Sequence, residues 1–223
     1  MSKQIKSKKR VQEHGEVFTN EREVNAMLDL VKDETLRIDS RFLEPACGDG
    51  NFLIEILKRK INVVNKKYKN DEQEWEKQSL IALMSCYGVE LLQDNVNACI
   101  NRLYDFWNKE YEKHCKGIKS EKVKEVAKFV LEKNILCGNA LTMKMVDKKG
   151  KDKEKPIIFS EWSFVMGNKV KRREFRFDEL LKMNTTTPDI MMLISGFEYD
   201  KDMKEWIPQP IKEYDLVDYK DLM

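Results

Sequence analysis

Two glycines flank an aspartate in the stretch Arg41–Leu53, RFLEPACGDGNFL, of a chain with only 9 glycines in 223 residues. Apolar residues run into Glu44 and Pro45, then into small residues, and a helical pattern starts directly after Gly50. Gly48 and Gly50 permit positive φ and carry no side chain, so a ligand can lie against the backbone. A helix beginning near Asn51 presents unpaired N–H groups to an anion or a polar ligand. The third glycine of a dinucleotide fingerprint is missing, and the Asp49 carboxylate stands between the two that remain. That disfavours a pyrophosphate and suits a nucleoside bearing an amine. A second acid, Glu90 in GVELLQ, ends a later apolar run, where it can accept both ribose hydroxyls; an ordinary exposed strand end is the plain alternative. Asn139 in CGNAL can bond an adenine edge or simply form a turn.

These residues need a scaffold that brings separate segments together. Thr19 or Asn20 can cap a helix carrying Val24, Met27, Leu28 and Val31 at helical spacing. RFLEPA reads as a short buried strand, and Phe52, Leu53, Ile56, Leu57 and Ile61 mark an amphipathic helix. KKYKNDEQEWEKQ reads as a solvated helix end or loop. A strand is expected over Ser85–Glu90, with room for the end of a helix before it in SLIALM, helices over Asn95–Tyr111 and Ser120–Glu132, and a third strand in NILCGNAL. Strands alternating with helices imply βαβ units and a parallel sheet covered on both faces, with ligands beyond the carboxyl ends of its strands.

Composition bounds the function classes. Lys plus Arg number 41 against 39 Asp plus Glu, so net charge alone neither favours nor excludes a nucleic-acid partner. No run approaches the roughly 18 apolar residues that span a bilayer. The N-terminus MSKQIKSKKR is basic without the apolar segment of a secretory signal. Five scattered cysteines without a C-x-x-C pair read as reduced thiols of a cytoplasmic protein with no metal site. His14 and His114 lie at no triad or metal spacing, and neither is expected to be catalytic.

FLEPACGDGNFL resembles the cofactor motif of S-adenosylmethionine-dependent DNA adenine methyltransferases, more narrowly the modification subunits of restriction-modification systems. HGEVFTNEREVNAML is similar to the segment that covers the cofactor's methionine part in that family, with Asn20 where proline is usual. YGVELLQDNVNACINRL and NILCGNAL resemble the second and third motifs, with Asn139 where aspartate is usual. The resemblance covers roughly His14–Leu141. It implies a class I methyltransferase (Rossmann-like) α/β fold, a three-layer sandwich, and methyl transfer to the exocyclic amine of adenine in DNA. Glu44 and the Gly48–Gly50 backbone would hold the methionine amine and carboxylate, Phe18 and Thr19 would close over them, Glu90 would take the ribose, and Leu91 would pack on adenine. Pro45, Ala46, Cys47, Asp49, Phe52, Asn139 and Ala140 complete the implied cofactor set.

The family's catalytic Asn-Pro-Pro-Tyr or Asp-Pro-Pro-Tyr segment, which accepts the target amine's hydrogens and stacks the flipped base, is not found. In its place KPIIFSEWSFVMGNKVKRREFRF reads as a β-hairpin about Met166-Gly167-Asn168. Asn168 is the only catalytic candidate near the expected place. Lys169, Lys171, Arg172, Arg173 and Arg176, with aromatic residues nearby, offer a surface that can track phosphates and stack bases, or a sheet face with solvated cations. DKKGKDKEK reads as a loop. The expected organisation is a basic arm over 1–13, a methyltransferase-like domain over 14–145 that lacks its C-terminal half, and a hairpin with an acidic tail over 146–223. The partner would be DNA. A catalytically incomplete cofactor-binding or regulatory subunit that works with a second chain, or a homo-oligomer, is the alternative.

Overall fold

The computed structural model describes residues 7–14, 16–181, 197–200 and 205–223. Residues 1–6 of the basic arm and 201–204 of the tail lie outside these, as does the side chain of His14. From Lys8 the arm forms a short helix, α1 (Lys8–His14), and Arg10 on it pairs with Glu16 and Asp94, each at 2.6 Å. α2 (Glu21–Asp29) starts at Asn20, whose side chain accepts from the Glu23 N–H at 3.0 Å. A single turn, α3 (Lys32–Thr35), leads to β1 (Phe42–Glu44). Pro45 cannot donate to a ladder and stops the strand there. α4 (Asn51–Lys67) follows the glycine loop.

The charged stretch after α4 corrects an expectation. It opens a helix of its own, α5 (Glu72–Met84), capped by Asp71, whose carboxylate accepts from the Glu74 N–H at 3.0 Å. α5 buries Trp75, Glu76 and Ser79 among apolar residues. β2 (Cys86–Glu90), α6 (Gln93–His114), α7 (Glu121–Asn134) and β3 (Ile135–Asn139) then fall within a few residues of their expected bounds.

β1, β2 and β3 are parallel neighbours, with Phe42 opposite Cys86 and Gly88 opposite Ile135. β4 (Lys144–Val146) and β5 (Asp152–Pro156) extend the sheet antiparallel, giving the order β1-β2-β3-β4-β5. The Lys-rich segment is therefore a turn and an edge strand rather than a loop alone. Two right-handed crossovers in one direction set α4 to α7 on one face. Buried side chains agree: a Cβ on Gly88 would meet Cys47 and Leu53, whereas Tyr87 and Val89 join Ile157, Phe159 and Phe177 on the other face.

That other face is covered by a second sheet. β6 (Ile158–Met166) and β7 (Lys169–Arg176) form the expected hairpin about Gly167–Asn168, and β7 also pairs with β10 (Lys212–Glu213) and β11 (Val217–Asp218). A short helix, α8 (Phe177–Leu180), follows β7, and β8 (Phe197–Asp200) pairs with β9 (Glu205–Pro208). The layers among the described residues are thus helices, mixed sheet and antiparallel sheet; a β-layer stands where the three-layer expectation places helices.

The tail docks on the body. The Tyr219 hydroxyl donates to the Glu76 carboxylate at 2.6 Å, beside the Tyr111 hydroxyl at 2.8 Å and the Lys220 ammonium at 2.9 Å. Glu76 is fully buried, so these partners hold a charge that would otherwise be stranded.

Candidate functional site

Three segments expected to act together meet at the carboxyl ends of β1 and β2. Gly48 and Gly50 both take positive φ, 54° and 92°. The Glu90 carboxylate reaches across from β2, accepting from the Gly48 N–H at 2.9 Å and from the Leu92 N–H at 3.0 Å. The Phe18 ring lies directly over Gly48, where an added Cβ would come within 3.0 Å of it. Asn51, at the start of α4, donates to the Thr19 carbonyl at 2.9 Å and accepts from Arg102 at 2.5 Å. The Phe18–Thr19 segment is thereby tied to the loop it was expected to cover.

Beneath the loop there is no spare room. A Cβ on Gly50 would meet Cys99 Sγ at 2.7 Å. The Cys47 thiol is pushed far up, first by its hydrogen bond with Cys99 and then by burial, so it stays protonated. Both thiols are buried and pack the floor of the loop. Several acids surround the loop, and Arg102 pairs with one of them, Asp49, at 3.5 Å. Burial raises the Glu44 carboxyl, against the pull of the Ala46 N–H at 3.3 Å. Asp49 and Glu90 add two further acids, and Glu16 and Glu90 both accept from Asn95, at 2.6 and 3.3 Å.

Leu91 is half-buried beside Gly150, in the turn between β4 and β5. Asn139 is occupied with its turn: its side-chain carbonyl accepts from the Leu141 N–H at 3.0 Å, and its amide donates to Asp152 at 3.2 Å. Phe52 is half-buried on the first turn of α4, against the helix-face core, and Ala140 packs in the smaller cluster on the opposite face.

Asn168 is not brought to this loop. Trp162 of β6 bonds Asn134, which in turn bonds the Met84 and Cys86 carbonyls at the amino ends of the parallel strands. Asn168 lies further along the hairpin in the same direction, where its carbonyl accepts from the Tyr219 N–H. It stands at the opposite end of the sheet from Gly48 and Glu90.

Most of the cations of the hairpin have acid partners within the chain. Arg172 is buried, donates to Ser160 at 3.0 Å and Glu174 at 2.5 Å, and stacks on Tyr214 with 4.2 Å to the ring centroid. Arg173 pairs with Glu161, Arg176 with Asp178 and Lys171 with Glu213, at 2.6, 2.7 and 2.9 Å. Alternation along β7 sends Arg172 into the structure; Arg173 and Lys171 meet acids on neighbouring strands, and Arg176 meets Asp178 just beyond the strand. Lys169 is exposed at the turn.

Arg10, Glu16, Asn95 and Arg102, which bracket the loop, were not singled out by the sequence. The one available signal was Asn51, the first residue of a helix behind two glycines. His114 stacks on Trp75 with 5.1 Å between centroids, a packing role. Among the described residues no cluster of three or more His, Cys, Asp or Glu is placed to hold a metal. No helix there is long and apolar enough to cross a membrane.

A mixed α/β domain with a mostly parallel central sheet, compatible with a methyltransferase fold, holds the glycine turn, the strand-end acid and the covering aromatic segment together. Residues 15–176 match the family model described as MmeI, DNA-methyltransferase domain. The chain belongs to that family and is a restriction-modification methyltransferase-like protein. No curated protein and no solved structure matches it significantly.

Proposed function

We propose that the chain is the cofactor-binding domain of a class I, Rossmann-like enzyme that transfers a methyl group from S-adenosylmethionine to the exocyclic amine of adenine in DNA. The observation that carries this reading is the hydrogen bond from the Gly48 N–H to the Glu90 carboxylate beneath the Phe18 ring. It joins the cover segment, the glycine loop and the strand-end acid in one place.

The donor set fits the cofactor. Its α-ammonium and sulfonium are cationic, and Glu44, Asp49 and Glu90 are the acids around the loop. Glu44 would hold the ammonium, the Gly48–Gly50 backbone the carboxylate, Glu90 the ribose hydroxyls, and Leu91 one face of the adenine. Pro45, Ala46 and Cys47 shape the loop between them. When bound, S-adenosylmethionine supplies an electrophilic methyl group. The residues of this chain align it and keep water away, which is the larger part of catalysis for a direct displacement. The nearby amides Asn51 and Asn139 have their side-chain carbonyls engaged within the chain.

Isothermal titration with S-adenosylmethionine tests the assignment. The wild-type chain should bind, while Glu90→Ala and Gly50→Val should bind at least tenfold more weakly. Unchanged affinity in both variants would put the pocket elsewhere.

A further inference from the structure

Glu90 is held by more than backbone. Its Oε2 accepts from the Gly48 N–H, and its Oε1 from the Leu92 N–H and, at 3.3 Å, from the Asn95 amide. A carboxylate oxygen offers about two acceptor directions. These two donors therefore fill Oε1, and the open direction lies on Oε2, the oxygen bonded to the glycine loop. The backbone donors come with the strand and the loop. The Asn95 amide does not, because its side chain turns about its own χ1 and χ2.

A second carboxylate orients that amide. The same Asn95 nitrogen donates to Glu16 at 2.6 Å, so one amide bridges two acids. Asn95 is buried, and the Glu16 side chain is 8% exposed. Two carboxylates around one amide repel each other, and the closer one needs a cation. Arg10 supplies it: its Nε lies 2.6 Å from Glu16 Oε2, and its Nη2 donates to Glu16 Oε1 at 3.0 Å. The guanidinium also takes Asp94 with both terminal nitrogens, at 2.6 and 3.1 Å. Asp94 stands in the first turn of α6, next to Asn95. Arg10, on α1, thus ties Glu16 to the helix that carries the bridging amide.

With Arg10 in place, Glu16 draws one amide hydrogen of Asn95 and leaves the other for Glu90. Without Arg10, Glu16 is a nearly buried charge lacking its cation, a state costly enough to turn the side chain out to water. Asn95 then loses a partner that orients it, and Glu90 loses one of the donors that fix its rotamer.

We propose that Arg10, Glu16 and Asn95 are positioning residues for the cofactor's ribose: their chain of ion pair and hydrogen bonds locks Glu90 with Oε2 toward the sugar hydroxyls. They act through Glu90. A side chain fixed before the ligand arrives loses less rotamer freedom on binding, and the saving appears as affinity. This role rests on the S-adenosylmethionine reading above and adds which residues outside the glycine loop give the strand-end acid its grip.

Isothermal titration with two ligands tests it: S-adenosylhomocysteine, and its 2′,3′-dideoxy analogue, which lacks both sugar hydroxyls. Wild-type chain should prefer the first by at least tenfold. Glu16→Ala should weaken the first at least fivefold and leave the second within twofold of wild type. Arg10→Ala should show the same split, with at least a threefold loss for the first ligand. α1 contributes no residue to the core, so this variant keeps the test open if Glu16→Ala does not fold. Equal losses for both ligands in a folded variant would mean a general loosening and would overturn the proposal. Full affinity in both variants would overturn it as well. Wild-type chain that binds both ligands alike, or neither, is a different result: it removes the ribose from Glu90, and the positioning role with it.

Discussion

The Glu90 carboxylate and the Gly48 N–H are 2.9 Å apart although 42 positions separate them in sequence. The bond stitches the loop after β1 to the end of β2, and the same carboxylate accepts from the Leu92 N–H. Gln at this position offers one oxygen where Glu offers two. Glu90→Gln should therefore leave one of the two N–H groups without its partner and cost about 1 kcal/mol. Urea unfolding measures that cost, and cofactor affinity by calorimetry should fall at least tenfold.

Gly50 shows how little latitude the loop has. At φ 92° any side chain is strained, and its Cβ would sit 2.7 Å from Cys99 Sγ. Gly50→Ala should destabilise the chain by about 1–3 kcal/mol. For a chain of this length that lowers the melting temperature by about 2–4 °C per kcal/mol. Adding Cys99→Ala should recover part of the loss, because it removes the clash but not the strain.

Lys60 gives a pH signature. It is fully buried, with its ammonium donating to the Ile38 and Ser40 carbonyls and the Ser85 hydroxyl. Burial, above all, lowers its pKa from 10.5 to about 8. Between these values the unfolded chain holds a proton that the folded chain lacks, so stability from this group rises with pH. The gain is fully present above about 10.5 and is lost as pH falls through about 8. Wild type should gain stability relative to Lys60→Met across that window, by an amount on the order of 3 kcal/mol. Paired melts from pH 7 to 10.5 check the sign; a flat difference would contradict it.

Arg172 separates a packing role from a DNA role. It is buried against Ser160, Glu174 and Tyr214. Arg172→Ala should cost about 2 kcal/mol through the partners it strands. The salt dependence of DNA binding should stay as in wild type, because an arginine that touches no phosphate releases no counterion.

Much of the site was legible because it rests on local rules. Gly48, Gly50 and Glu90 were readable from residue type and position at strand ends, and Asn20 from capping chemistry. What was not legible depends on partners distant in sequence. α5 hid because its buried face carries Glu76 and Ser79, whose polarity is satisfied by Tyr111, Tyr219 and Trp107. The hairpin cations looked free because the acids that pair with them, Glu161, Glu213 and Asp178, lie in other elements or beyond the strand. The position of β1 at the sheet edge follows from strand order, which no local pattern encodes.

The buried Glu76 carboxylate marks a folding boundary that homology does not. The family match stops at residue 176, yet two of the groups that neutralise Glu76 are Tyr219 and Lys220. A chain trimmed to the matched region would leave the buried Glu76 carboxylate with the Tyr111 hydroxyl but without Tyr219 and Lys220. A dissection of this domain should therefore keep the last turn, because removing Tyr219 and Lys220 takes two of the three partners from a buried carboxylate.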